Sequence, residues 1–297
     1  MTMKIAAWRD YLALCKPKIV CLIVFTALVG MLLAAPGMVA LPLLVCATLG
    51  IGLAAASAAA INHIVDQEID GLMARTLKRP LPKGNLSARE AKVFAAVLCV
   101  ISMTILGIFV NALTAFLTFV SLIGYGVIYS MFLKRATPQN IVIGGAAGAA
   151  PPVLGWTAVS NSLDPHALLL FLIIFAWTPP HFWALAIARH KDYENADIPM
   201  LPVTHGLDFT RLHILLYTLL LFIVTLLPFL TGMSGIAYLF GALTLGAGFI
   251  YFTVKLLRTA EEATAMRTFS YSIWYLMGLF AVLLVDHYIP AIARLIL

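Results

Sequence analysis

The chain has 297 residues, 62% of them hydrophobic and only 11% charged, with a formal net charge of +6 and a mean hydropathy of +1.00. A soluble domain is about a quarter charged, so an ordinary water-soluble core is excluded. Apolar runs long enough to cross a hydrocarbon layer of about 30 Å as helices recur along the chain, which makes it an all-α polytopic membrane protein.

The first run, 19–35, follows Lys4, Arg9, Lys16 and Lys18 and ends at Ala34-Ala35. That pattern imitates a cleavable leader, but the long basic lead and the many later runs favour an uncleaved first helix. Further spans are expected at 41–63, 92–110, 113–133, 140–159, 167–188, 212–230, 236–256 and 270–288, about nine in all. Charge placement tests this count. With the N-terminus cytosolic, that side holds the four leading basic residues, then Arg75, Lys78, Arg79, Lys83, Arg89 and Lys92, then Lys134 and Arg135. It continues with Arg189, Lys191 and Arg211, then Lys255, Arg258 and Arg267. Only Arg294 falls opposite, so eighteen of nineteen basic residues share one side. A miscounted span would destroy that alternation. The positive excess is thereby explained by topology and anionic lipid, and no nucleic-acid partner is called for. The scattered Cys15, Cys21, Cys46 and Cys99 carry no metal or disulfide spacing.

Two loops on the basic side are long, 66–87 and 189–209, and loops of that length in a compact bundle tend to be functional. The first opens with the strongest chemical signal in the chain. Asn62, Asp66 and Asp70 stand at i, i+4 and i+8 and stack along one helix face. Two carboxylates and an amide on successive turns make a hard oxygen surface suited to Mg²⁺, an ion usually completed by substrate phosphates. Acids at membrane depth are costly, which favours function over chance. Arg75, Lys78 and Arg79 follow directly and could hold phosphate oxygens that the metal does not reach; inside-positive charge explains any one of them equally. Lys134 and Arg135 end the fourth span and admit both readings too. The Gly144 to Pro152 stretch lacks the GK[ST] element of a phosphate loop and reads as close helix packing through small residues.

Several motifs together resemble the UbiA-type intramembrane prenyltransferases, and within them the branch whose acceptor is haem. They are Asn62-x3-Asp66-x3-Asp70 followed by Met73-x-Arg75-Thr76-x2-Arg79-Pro80-Leu81-Pro82, Lys16-Pro17-Lys18, and Tyr129-Ser130 through Lys134-Arg135. Asn140 through Trp156, Thr178-Pro179-Pro180-His181-Phe182-Trp183 and Asp192-Tyr193 through Pro202 complete the set. The resemblance covers nearly the whole chain. It implies one intramembrane domain over 1–297, with helices around a central cavity open to the cytosol, in the inner (cytoplasmic) membrane. It implies farnesyl diphosphate and protohaem IX as substrates, Mg²⁺ as cofactor, and a haem A synthase or oxidase-assembly factor as partner. Diphosphate contacts would come from Arg75, Lys78, Arg79, Lys134, Arg135 and Lys191. Asp192 is implied as ligand to a second metal, with Asp197 beside it. Other branches show DxxxD, whereas these aspartates are five apart and position 196 is alanine.

His181 and Trp183 are the residues expected at the haem. Pro179 and Pro180 should kink the sixth span and loosen its packing. A neutral imidazole there could ligate iron or hydrogen-bond near the reacting vinyl group; the plainer alternative is a bond to a freed backbone carbonyl. The chemistry implied is loss of diphosphate to an allylic cation, attack by a haem vinyl group, and addition of water. Two other readings stand beside it: prenylation of an aromatic quinone precursor, 4-hydroxybenzoate or a naphthoate, and a transporter with an ion-coupling acid site. The acids sit at the rim rather than mid-membrane, which argues against the transporter.

Overall fold

The computed structural model describes residues 8–73 and 76–296, with side chains as far as 289. Lys4 and Arg75 fall outside the described residues, and Arg294 contributes backbone alone. The described residues are helical or looped, with no strand among them. A stub, α1 (Trp8–Leu14), meets α2 (Pro17–Leu33) at a bend of 52°. The break falls at Lys16, which takes a left-handed φ of 49° ahead of Pro17, a residue preorganised for a first helical turn. α3 (Leu41–Val65) is followed at once by α4 (Gln67–Leu72), and α5 (Ala88–Phe109) begins at a Ser87–Glu90 capping box. Next come α6 (Ala112–Ile123), a π-helical segment (Gly124–Leu133), and α7 (Lys134–Ala136). α8 (Asn140–Ala149) and α9 (Pro151–Ser160) form one crossing, and α10 (Pro165–Ala188) the next. Short α11 (His190–Asn195) and α12 (Leu201–Thr204) lie in the second long loop. α13 (Leu207–Val224) with α14 (Leu227–Leu230), α15 (Ile236–Thr259) and α16 (Glu262–Ile296) complete the chain.

Eight of these crossings are long and apolar enough to span a membrane, and the bent α1–α2 pair makes a ninth. They agree with the spans expected from hydropathy. α10 continues as one helix from Pro165 to Ala188 through Pro179 and Pro180, both buried. The proline rings leave the helix without two backbone donors, and the Thr178 hydroxyl donates to the Ile174 carbonyl one turn back at 2.8 Å.

Lipid gives helices no hydrophobic reason to associate, so small residues and interhelical hydrogen bonds hold the bundle. Ser57 donates to Ala95 O at 2.8 Å and Ser102 to Gly50 O at 2.6 Å, pinning α3 to α5. Where α2 crosses α9, a Cβ on Gly30 would strike the Pro152 carbonyl and one on Gly155 the Ala27 carbonyl. Overpacking such a contact costs about 1–3 kcal/mol. Gly155→Val is therefore expected to lower the thermal midpoint of the detergent-solubilised protein clearly, and an unchanged midpoint would contradict the contact.

Candidate active site

A cavity of about 820 Å³ lies inside the bundle, walled by α2, α3, the π segment, α8 with α9, α10 and α16. Its wall is mostly apolar, with small residues along α3 (Ala54, Ala55, Ala58, Ala59) and α8. The polar groups collect where α3 ends.

Asn62, Asp66 and Asp70 all line the cavity and are 5%, 2% and 2% exposed. The helix changes number at Asp66, yet the helical repeat survives: Asp66 N bonds to Asn62 O at 3.0 Å and Asp70 N to Asp66 O at 2.8 Å. The i, i+4, i+8 row is therefore real in space. Three cations close around it. Lys134 Nζ lies 2.7 Å from Asp66 Oδ2, Arg79 Nη1 lies 2.6 Å from Asp70 Oδ2, and Lys16 Nζ donates to Asn62 Oδ1 at 2.5 Å. A lysine has only donors, which fixes the Asn62 amide with its oxygen toward Lys16. Its nitrogen donates to Asp66 Oδ2 at 2.9 Å and Ser130 Oγ at 3.0 Å. Three cations thus face two carboxylates, a surplus that an anionic ligand would neutralise.

Asp66 Oδ1 is buried without a hydrogen-bond partner. A carboxylate oxygen left so is costly, and with the neighbouring oxygens it offers a hard donor set that fits Mg²⁺. No cluster of three or more His, Cys, Asp or Glu at metal-holding spacing occurs among the described residues. The donor set fits because Mg²⁺ needs only one or two carboxylates once phosphate is present.

The π segment decides which face of its span meets this row. On an α-helix, nine residues separate Tyr125 from Lys134 by about 2.5 turns, placing them on opposite sides. Bonding i→i+5 takes roughly one more residue per turn, so nine residues make about two turns. Tyr125, Tyr129 and Lys134 consequently all line the cavity, and the two tyrosines stack at 5.5 Å and 9°. Gly144 makes room, since a Cβ there would collide with the Tyr129 ring.

Not every expected residue joins the site. Lys78, Arg135 and Lys191 are exposed and stand off the cavity wall. The two long loops do meet, but through apolar side chains: Ile69 and Met73 pack with Tyr193, Ile198 and Met200. Of the second loop it is Tyr193, Ile198 and Met200 that line the cavity. Asp192 is half-buried beside it, and Asp197 is exposed at a φ of 49°. Trp183, expected at the haem, is fully buried against Tyr217 and His213 rather than on the wall, while Trp177 and Phe182 line the cavity instead. An α-helix advances 100° per residue, so His181 and Trp183 cannot share a narrow face. His181 does line the cavity, and its partner is the Ser272 hydroxyl, 2.6 Å from Nδ1, not a freed carbonyl.

Three residues to which the sequence alone gave no role at the site belong here: Lys16, Ser130 and Ser272. Lys16 had a local signal, a basic residue fixed by the following proline. Ser130 stood in a motif of the resemblance without a role of its own, and Ser272 had no signal.

A model of the UbiA prenyltransferase family matches residues 23–281. The chain is 62% identical to a protoheme IX farnesyltransferase of Methylococcus capsulatus, over 95% of both chains. It is 61% identical to that of Nitrosococcus oceani over 95% of each, and 61% to that of Legionella pneumophila over 95% of this chain and 96% of the other. Among solved structures it resembles a digeranylgeranylglyceryl phosphate synthase with a TM-score of 0.77 at 20% identity, covering 94% of this chain and 98% of that one. A UbiA homologue from Archaeoglobus fulgidus bound to GPP and Mg²⁺ gives 0.63 at 18% identity, covering 92% and 99%.

Proposed function

The chain belongs to the UbiA prenyltransferase family, and from that premise we propose that it transfers the farnesyl group of farnesyl diphosphate to a vinyl group of protohaem IX, giving haem O and diphosphate. The observation that carries the reaction type is the buried Asn62–Asp66–Asp70 row, ringed by Lys16, Arg79 and Lys134 at one end of an apolar cavity. The acceptor follows from relatives at about 60% identity that carry the name protoheme IX farnesyltransferase.

Asp66 and Asp70, with the Asn62 amide beside them, are the residues that would hold Mg²⁺. Bound there, the ion supplies positive charge to the diphosphate as it leaves. Arg79 and Lys134 do the same from the protein side, as preorganised charges at the point where negative charge builds. Lys16 adds a third. The allylic cation forms next to the stacked Tyr125 and Tyr129, whose ring faces attract a cation. The apolar wall beyond them excludes water. Once the carbon–oxygen bond has broken and diphosphate has left, the vinyl carbon bonds to the allylic cation, and the cation left beside the porphyrin takes up water and loses a proton.

Asp192 enters this scheme through rearrangement, because its neighbours Tyr193 and Ile198 already occupy the wall. Turned toward the cavity, its carboxylate would hold a second Mg²⁺ and so strengthen diphosphate binding, with Asp197 joining it only if the segment 190–198 turns further. Asp192→Asn is accordingly expected to raise KM for farnesyl diphosphate more than it lowers kcat. The basic asymmetry supports a cytosolic N-terminus and a site opening to the cytosol in the bacterial inner membrane. The apolar product would pass within the bilayer to a haem A synthase or oxidase-assembly partner.

Membranes containing the protein, given labelled farnesyl diphosphate with protohaem IX or with 4-hydroxybenzoate, test the proposal. Label is expected in haem, read by mass spectrometry of extracted porphyrins. A prenylated phenol with unaltered haem would overturn it.

A further inference from the structure

His181 sits on α10 seven residues before its end at Ala188, about 10 Å along the helix axis. Its ring is clamped between two aromatic rings. The Trp177 ring lies 4.1 Å away at 20°, and the Phe269 ring 4.5 Å away at 27° on α16. Such a sandwich prevents the imidazole from turning over.

The hydrogen bonds then decide which nitrogen carries the proton. Ser272 Oγ lies 2.6 Å from His181 Nδ1 and 2.6 Å from the Phe269 carbonyl oxygen. A carbonyl offers no proton, so the single hydroxyl proton of Ser272 goes to Phe269 O. The serine oxygen must accept from His181, which places the imidazole proton on Nδ1 and the lone pair on Nε2. Ser272 fixes the clamp as well, because its carbonyl accepts the Trp177 indole N–H at 2.8 Å. Nε2 has no partner among the described residues and is not among their buried, unpartnered atoms, so it is open to the cavity that His181 lines.

We propose that His181 Nε2 is the axial ligand to the iron of the haem substrate, and that Ser272 is the positioning residue that sets its tautomer and direction. This rests on the reading of haem as acceptor. A metal-bound histidine almost always donates its other N–H to a fixed acceptor, and Ser272 with its proton committed elsewhere is such an acceptor. Proton abstraction is the competing use of a free imidazole nitrogen. It would leave a cationic ring between two aromatic side chains, with the neutral Ser272 hydroxyl as its hydrogen-bond partner and the carboxylates of Asp66 and Asp70 already paired with Lys134 and Arg79. An uncompensated charge in such a place is strongly disfavoured, whereas ligating iron uses the neutral ring. The consequence is functional: the macrocycle is held through its iron at the His181 wall while the diphosphate is held by the cationic ring around Asp66.

The test uses the purified full-length protein in detergent, loaded with ferrous protohaem and followed by absorption and resonance Raman spectroscopy. The wild type should show an iron–histidine stretch. His181→Ala should lose it and regain a histidine-like spectrum on addition of imidazole. Ser272→Ala should keep the ligand but shift the stretch to lower frequency, because the imidazole loses its hydrogen-bond acceptor, and Ser272→Thr should restore it. Retention of the wild-type spectrum by His181→Ala would overturn the ligation while leaving haem as acceptor intact. An unmoved stretch in Ser272→Ala would overturn the positioning role. A wild-type protein that releases diphosphate yet binds no haem would overturn both this inference and the acceptor it rests on. Should His181→Ala fail to fold, the Ser272 pair reads the same ligand through its frequency.

Discussion

Asp66→Asn is expected to cut diphosphate release by a factor on the order of 10²–10³ or more, the scale of losing one preorganised electrostatic group, while the protein remains inserted and helical. The substitution keeps the shape of the side chain and removes its charge. Asp66 Oδ2 accepts from both Lys134 and Asn62, and Oδ1 is the buried oxygen without a partner. With asparagine there, the proposed Mg²⁺ site loses a carboxylate and Lys134 its counter-charge. Asp70→Asn should behave alike, through the loss of the Arg79 pair. Breaking a buried pair also destabilises, by about 3–5 kcal/mol when one charge is left uncompensated, so turnover must be measured on protein that gel filtration shows to be monodisperse. The mode of failure separates the two acidic segments: kcat should fall in Asp66→Asn, whereas KM should rise in Asp192→Asn. Near-normal turnover in folded Asp66→Asn would remove the metal assignment.

Lys134→Gln should lower kcat by a factor on the order of 10², and Arg135→Gln should leave it within about twofold, as surface substitutions usually do. These two adjacent residues carry the same charge at the same membrane boundary. Lys134 lines the cavity with its ammonium 2.7 Å from Asp66, while Arg135 is exposed. If Lys134 served only to anchor the span end, both variants would insert and turn over alike. Lys134→Arg should recover part of the activity, because charge is kept while the point-like ammonium is replaced by a planar fork. Equal effects from Lys134→Gln and Arg135→Gln, read as initial rates of diphosphate release at saturating substrate, would contradict the assignment.

The row Asn62, Asp66 and Asp70 was legible from spacing because it needs only one helix, and a helix carries its own period. The spans were legible for a similar reason: crossing hydrocarbon demands a run of apolar residues, and inserting them leaves basic residues on one side. Membership of the site is a different kind of fact. Lys78, Arg79, Lys134, Arg135 and Lys191 look equivalent along the chain, yet Arg79 and Lys134 reach the carboxylates and the other three do not.

What selects them is the phase of one span against another, which no single segment encodes. The π segment illustrates this. It turns Tyr125, Tyr129 and Lys134 onto one side, where an unbroken α-helix would have set Tyr125 and Lys134 apart. Trp183 and His181 were grouped by adjacency in the chain, and the helical turn between them sends one into packed protein and the other into the cavity. Ser272, 91 positions beyond His181, became its partner only because α16 packs along α10. The amino-acid order thus determined the class of protein, its crossings and the acidic row, all consequences of local periodicity and of water–lipid partitioning. Only the packed bundle decided which cations and which hydroxyls meet that row and that histidine, because those pairings depend on distances between helices.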